Sequence, residues 1–158
     1  MKILLPVDGS PLALDAVRHA LGLVTQGLQA SFVLANVQAP SSLYELVVVH
    51  DADRLAEVAR SSAADALAPA AALLLAAGVD YETEVATGDA AHMLIDIAED
   101  HACDAVVMSA RGASSGLAAI GSVAQAVLAR SPVPVTIVRR VEPEVEPDEI
   151  EASRDSAE

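Results

Sequence analysis

The chain has 158 residues with no tryptophan, one phenylalanine and two tyrosines, and its formal net charge is −14. This length fits one domain with a single core. The acidic charge argues against a nucleic-acid or anionic-membrane partner, because both require a basic surface. The scarcity of aromatic side chains also leaves little for stacking bases.

The acidic residues are unevenly distributed. Eight of the 23 lie after Val141 with one basic residue, so the last 17 residues contribute −7 and the body contributes the other −7. A segment of this composition cannot bury enough apolar surface to offset the entropy lost on ordering. The sequence therefore predicts a domain over residues 1–141 and a disordered acidic tail over residues 142–158.

Cys103 is the single cysteine, which excludes an internal disulfide and a cysteine-rich metal site. It lies at the start of an apolar segment, and we interpret it as a small buried hydrophobe rather than a nucleophile. Pro6 and Asp8 interrupt the first apolar run before it reaches the length of a signal peptide. No stretch of transmembrane length is free of polar residues. We therefore expect a soluble, cytoplasmic protein.

The first segment, "KILLPV", predicts a buried strand that ends at the turn "DGSP". Ser10 is a candidate helix cap, and Pro11 suits the first helical position because its missing N–H would have no partner there. The following helix is expected to end near Gly27. Its apolar residues recur at helical spacing, at Leu14, Val17, Leu21 and Val24.

A second strand, "SFVLANV", is followed by "LYELVVVH", residues 43–50, which we interpret as a loop or short extra element over a sheet edge or at a subunit contact. A long helix is predicted from a cap at Asp51 or Asp53 to a C-terminal glycine at Gly78. Pro69 lies inside it and predicts a kink or two consecutive helices.

The rest of the chain alternates strands and helices. "VDYETEVAT" has the alternation of a strand with one solvated side, and Gly88-Asp89 opens a helix. "CDAVVMS" is an apolar strand, a short helix follows "SARGASSGLAAIGS", and "PVPVTIVRR" is the last strand. The order βαβαβαβαβ predicts an α/β fold, a parallel sheet with helices on both faces. The first and fourth strands are the most apolar and should be central.

Two loops should meet at the carboxyl edge of this sheet, "VDGSP" and "SARGASSGLAAIGS". Glycine and serine let backbone N–H groups approach a phosphate, and the helix that starts at Ser122 adds the positive end of its dipole. An ordinary structural interpretation stays open. Ser122 and Gln125 match a capping box, and Asp8 can accept from the amides of its own turn.

Other chemistries lack their residues. Lys2 is the only lysine and no Gly-x4-Gly-Lys-Ser/Thr occurs, which excludes a Walker-type NTPase. No Gly-x-Gly-x2-Gly follows the first strand. The histidines have neither metal-site spacing nor a recognisable Ser-His-Asp grouping; they are His19, His50, His92 and His101. We therefore assign no metal site and no catalytic residue.

Three segments resemble the universal stress protein family: "KILLPVDGSPLALDAVRHAL", "GDAAHMLIDIAEDHACDAVVMSARG" and "GSVAQAVLARSPVPVTIVRR". The resemblance runs in order from Lys2 to Arg140. It implies an open, doubly wound five-stranded sheet in the order 3-2-1-4-5, Rossmann-like and similar to the adenine nucleotide hydrolases. It also implies a role in stress survival and a homodimer formed through the last strand, which is predicted to run from Val133 to Val138.

Members of this family that bind ATP carry Gly-x2-Gly-x9-Gly-Ser/Thr, with an Asp after the first strand and a Val near the end of the second that hold adenine. By resemblance, Asp8 and Val37 fill the adenine positions. The loop residues that match the phosphate positions are Gly112, Gly121 and Ser122. Ser10 and Arg111 complete the candidate set for ATP with Mg²⁺.

Two features depart from that pattern. Ser109 stands where the first glycine belongs, and eight residues instead of nine separate Gly112 from Gly121. One residue spans up to about 3.5 Å, whereas a hydrogen bond tolerates an error of only a few tenths of an ångström. Three hypotheses follow: a stress-response module that binds adenine nucleotide, an interaction protein of the same fold with a collapsed crevice, and a slow ATPase.

Overall fold

The computed structural model describes residues 1–42, 45, 47–48, 51–112 and 120–140. Their parallel sheet has five strands in the order β3-β2-β1-β4-β5, which confirms the expected fold class and strand order. The strands are β1 (Lys2–Pro6), β2 (Ser31–Gln38), β3 (Tyr81–Thr87), β4 (Ala105–Ser109) and β5 (Val135–Val138). The helices between them are α1 (Ala13–Thr25), α2 (Ala52–Ala76), α3 (Ala90–Asp100) and α4 (Ser122–Arg130).

The strand β1 lies at the centre of the sheet. It pairs with β2 through Leu5↔Leu34 and with β4 through Leu4↔Val106. Leu4 and Leu5 are completely buried, one on each face. The prediction that the first and fourth strands are interior is therefore confirmed, because strands covered on both faces are continuously apolar.

Each face of the sheet has its own core. The helices α1 and α2 cover one face, and their buried residues include Val17, Ala20, Leu67, Ala70 and Leu74. The helices α3 and α4 cover the other, with Leu94, Ile97, Ala98, Ala124 and Val127. Cys103 belongs to the second core and is 5% exposed, as expected of a small hydrophobe. This burial raises the pKa of its thiol.

The strand β3 is less buried than its neighbours, as predicted. It pairs with β2, for example Val33↔Glu82, and Glu82, Thr83 and Val85 are exposed. Glutamate side chains on an edge strand disfavour pairing with another chain. At the other side of the sheet, β5 pairs with β4.

The long helix differs from its prediction in one respect. It runs unbroken from Ala52 to Ala76 with Pro69 inside it, so the alternative of two consecutive helices is wrong, and the alternative of a kink stays a prediction. Asp51 is the cap and accepts from the N–H groups of Asp53 and Arg54. By length and composition alone this helix could cross a membrane. One side of it is packed on the sheet.

The starts of two other helices were predicted inaccurately. The helix α1 starts at Ala13 instead of Pro11, because residues 10–12 form a turn in which Ala13 N–H donates to the Ser10 carbonyl at 3.2 Å. Ser10 Oγ accepts from the same N–H at 3.4 Å. The helix α4 has Gly121 as its cap, so the predicted capping box is wrong: the Gln125 side chain donates to Ile120 O at 2.9 Å.

The segment 43–50 is described only in part. Glu45, Val47 and Val48 have helical backbone, and both valines are exposed. The other five residues lie outside the described residues, as does the predicted acidic tail, residues 142–158. The proposed boundary after residue 141 stays a prediction.

Candidate functional site

A cleft opens at the carboxyl ends of β1, β2 and β4. Its empty volume, including the open mouth, is about 670 Å³. The cleft is lined by Pro6, Val7, Asp8, Ala13, Ala35, Val37, Ala90, Leu94, Met108, Ser109, Ala110, Gly112, Gly121, Ser122, Val123 and Ala124.

The first loop holds Asp8 by local hydrogen bonds. Asp8 Oδ1 accepts from the Ser10 N–H at 2.9 Å, so the turn interaction left open by the sequence is present. Gly9 has φ +84°, a conformation that few other residues adopt. One position earlier, Val7 N–H donates to Ala35 O at 2.8 Å and extends the sheet to the edge of the cleft. The loop therefore places the Asp8 carboxylate at a defined position in the wall.

Asn36 is a polar residue that sequence reasoning missed. It is 2% exposed, and its side-chain amide donates to Val7 O at 2.8 Å. Its side-chain oxygen accepts from Gln38 Nε2. Asn36 thereby ties the loop after β1 to the end of β2, next to Val37 in the cleft wall. The available signal was the single amide in the apolar segment "SFVLANV".

The base of the second loop is closed by backbone hydrogen bonds. Gly121 N–H donates to Ala110 O and Ala110 N–H donates to Val138 O, both at 2.7 Å. Ser109 Oγ donates to Arg111 O at 2.6 Å. Among the described non-glycine residues only Ala102 has positive φ, so serine in place of glycine at position 109 introduces no backbone strain.

Gly112 of the second loop lies against Asp8 of the first. A Cβ on Gly112 would overlap Asp8 Oδ2. Glycine is therefore required at position 112 for steric reasons, as long as Asp8 keeps its position. The contact brings together two residues separated by more than 100 positions in the chain.

Six of the eight predicted site residues line this cleft. They are Asp8, Val37, Ser109, Gly112, Gly121 and Ser122. The structure does not place the other two there. Ser10 faces a neighbouring groove, and Arg111 lines a separate groove with Arg139 and Arg140. Arg111 comes two residues after Ser109, which pairs with Val138 of β5, and this places Arg111 in the groove beside β5 instead of in the cleft.

The cleft has little charge. Asp8 carries the one charged side chain among its described lining residues. In the same described part of the chain, no group of three or more His, Cys, Asp or Glu side chains is placed to hold a metal ion. The cleft therefore offers apolar walls, backbone groups and one carboxylate.

The sequence matches the universal stress protein family over residues 1–139. This chain belongs to the universal stress protein family. A universal stress protein of Methanocaldococcus jannaschii is 28% identical over 141 residues, which are 88% of this chain and 82% of the relative.

Solved structures of this family share the fold. Universal stress protein UspA from Lactobacillus plantarum is 26% identical with a TM-score of 0.73, covering 88% of this chain and 97% of its own. A universal stress protein in complex with cAMP is 23% identical with a TM-score of 0.61, covering 88% and 96%. A family protein from Arabidopsis thaliana with AMP bound is 17% identical with a TM-score of 0.63, covering 95% and 98%.

Proposed function

We propose that this universal stress protein is a stress-response binding module whose cleft binds an adenine nucleotide. The observation that carries the proposal is the convergence of two distant loops on one cleft, with Asp8 against Gly112. The family structures with cAMP and with AMP support the same ligand class. ATP with Mg²⁺ is the form that the loop pattern indicates.

The proposed arrangement divides the cleft in two. Val37 and Asp8 form the adenine side, where an apolar wall contacts the base and the carboxylate accepts from its amino group. Gly112, Gly121 and Ser122 form the phosphate side. The helix α4 begins at Ser122, so its first N–H groups contribute partial positive charge there.

The test compares two glycine-to-alanine variants by calorimetric titration with AMP, and with ATP plus Mg²⁺. In Gly112→Ala the new Cβ displaces the Asp8 carboxylate, and we expect the affinity to fall by at least about tenfold, or ~1.4 kcal/mol. Gly22→Ala is the matched control. Gly22 lies in α1 with nothing within 4 Å of an added Cβ, so binding should be unchanged.

Parent protein that shows neither heat nor a thermal shift with any adenine nucleotide at millimolar concentration would contradict the proposal and favour an interaction protein with an empty cleft. Equal losses in both variants would also contradict it, because the effect would then not arise in the cleft. Heat-denatured protein examined for adenine absorbance tests whether nucleotide copurifies.

We further propose a cytoplasmic homodimer formed through β5. In the described residues β5 pairs only with β4, and Thr136 on it is exposed. An unpaired edge of this kind is a template for pairing with a second copy. Light scattering should give twice the chain mass, and a monomer at micromolar concentration would contradict the proposal. Cell fractionation tests the compartment.

A further inference from the structure

We propose that the arginine-lined groove beside β5 binds the acidic tail of the same chain, residues 142–158. The groove is separate from the nucleotide cleft, and its empty volume, including the open mouth, is about 470 Å³. Its walls come from the start of α1 and from the ends of β4 and β5. They include Leu12, Asp15, Arg111, Val138, Arg139 and Arg140.

The groove concentrates positive charge on an acidic protein. Three of the nine lysine and arginine residues of the chain line it, and Asp15 is the one acidic residue among its described lining residues. The helix α1 begins at Ala13, and Leu12 and Asp15 on either side of that residue line the groove. The positive end of the α1 dipole therefore lies at the groove as well. Because residues 1–141 carry −7 of the formal net charge of −14, the groove attracts anionic groups that the surrounding surface repels.

The groove can hold carboxylates in addition to that of Asp15. Arg140 donates to Asp15 through Nε at 2.9 Å and through a terminal nitrogen at 3.1 Å. In the part of the chain that the structure describes, no Asp or Glu side chain forms an ion pair with Arg111 or Arg139. Arg111 is half-buried, and each guanidinium can contact both oxygens of a carboxylate. Arg111 and Arg139 are therefore the groups that a further carboxylate would contact.

The acidic tail has the composition and the position to supply these carboxylates. It carries eight acidic residues and one arginine. Its first carboxylate, Glu142, comes two residues after Arg140, so the tail begins at the groove. Each residue spans up to about 3.5 Å, so carboxylates at several positions of the tail are within reach of the groove. This short connection gives the carboxylates a high effective concentration there.

The tail has an advantage over small anions from solution. An exposed ion pair contributes little by itself, and an anion that approaches from solution must overcome the field of an acidic protein. The tail offers several carboxylates at once. Its attachment next to Arg140 also avoids the entropy that is lost when two molecules associate. We therefore assign the groove to the tail of the same chain.

The test is limited proteolysis of the full chain with a protease that cleaves after glutamate. Mass spectrometry follows cleavage after the internal tail glutamates that proline does not follow, which are Glu144, Glu149 and Glu151. A tail bound in the groove is protected, and only its unbound fraction is cleaved. We expect the double variant Arg111→Gln, Arg139→Gln to be cleaved at least about threefold faster than the parent at low ionic strength.

The matched control is the double variant Arg54→Gln, Arg60→Gln. It makes the same change in net charge at two exposed positions of α2, outside the groove. Its tail should be cleaved at the rate of the parent. Faster cleavage in this control equal to that of Arg111→Gln, Arg139→Gln would overturn the proposal, because the effect would then not arise in the groove.

Salt provides a measurement that needs no substitution. In about 1 M salt the Debye length is only about 3 Å, so the tail of the parent should leave the groove. Its cleavage rate, relative to a free peptide of residues 142–158 in the same buffer, should rise at least about threefold. A relative rate that salt does not change would overturn the proposal even if the arginine variant folds poorly.

Coexpression of the parent with an excess of Arg111→Gln, Arg139→Gln identifies which chain supplies the tail. The two chains differ in mass, so mass spectrometry follows each of them separately. Parent chains should keep their protection beside partners that lack the two arginines. Loss of this protection would assign the tail to the groove of a second copy and overturn binding within one chain. No nucleotide enters these measurements, so their outcome is independent of the proposed function.

Discussion

The two ends of the sheet use polar groups in opposite ways. At the amino end, ionisable side chains contact one another: Lys2 Nζ lies 2.9 Å from Glu82 Oε1, and His101 Nδ1 lies 3.3 Å from the same oxygen. His101 Nε2 lies 3.1 Å from Glu84 Oε2. Asp104 accepts from the Lys2 backbone N–H at 2.7 Å. At the carboxyl end, backbone groups and small residues line a cleft with a single carboxylate among the described residues.

The comparison shows that ion pairs lie at one end of the sheet and the candidate binding cleft lies at the other. Charges at the amino end satisfy each other at the surface, where exposed ion pairs contribute little to stability. At the carboxyl end, glycine and serine leave space at the edge where open α/β sheets bind ligands. Stability at that end depends on buried or backbone-directed hydrogen bonds such as that of Asn36. Mutations at the carboxyl end should therefore lower the free energy of unfolding more than mutations at the amino end.

The largest effect on stability is expected for Asn36→Ala. This change leaves the buried Val7 carbonyl without its side-chain donor and opens a small cavity. The free energy of unfolding should fall by about 1–3 kcal/mol. Urea denaturation measures it. Thr83→Ala on β3 is the control, because Thr83 is exposed and should change stability much less. Equal losses would show that the buried hydrogen bond to Val7 has no special weight.

A smaller effect is expected for Asp89→Ala at the cap of α3. Asp89 Oδ1 accepts from the His92 N–H at 2.9 Å, and Ala90 beside it lines the cleft. Loss of a side-chain cap should cost about 1 kcal/mol, and Asp89→Ser should restore most of it. The control is Asp96→Ala on the same helix, a half-buried residue that pairs at the surface with His92 at 3.4 Å. A loss in that variant as large as in Asp89→Ala would argue against a capping role.

Much of the fold was predictable because it depends on local patterns. Apolar runs such as "KILLPV" and "CDAVVMS" specify interior strands whatever their partners. Helix starts were less predictable. The position of Gly121 as a cap depends on its hydrogen bond to Ala110, and the turn before α1 depends on where β1 ends.

The candidate site was predictable to the extent that it lies on the two loops. Family resemblance and strand order together placed Asp8 and Gly112 at one edge of the sheet. The role of Asn36 was not predictable, since an amide inside a strand says nothing about which carbonyl it meets. The position of Arg111 outside the cleft depends on the side toward which the chain leaves β4, and the sequence carries no signal for that.

The smallest effect is expected at the amino end, from Glu82→Gln. The hydrogen bond from Lys2, and then that from His101, lowers the pKa of Glu82 below 4.5. The bond to Glu82 raises the pKa of Lys2 above 10.5. A lowered carboxyl pKa contributes stability above pH 4.5 that is lost as the pH falls through the folded-state value. A raised ammonium pKa contributes stability below pH 10.5 that is lost as the pH rises further. The free energies of unfolding of parent and variant should therefore differ slightly between pH 4.5 and pH 10.5. Urea denaturation across that range should show this difference becoming smaller as the pH falls below 4.5. A difference that persists unchanged below the folded-state pKa of Glu82 would mean that the glutamate acts through packing and not through its charge.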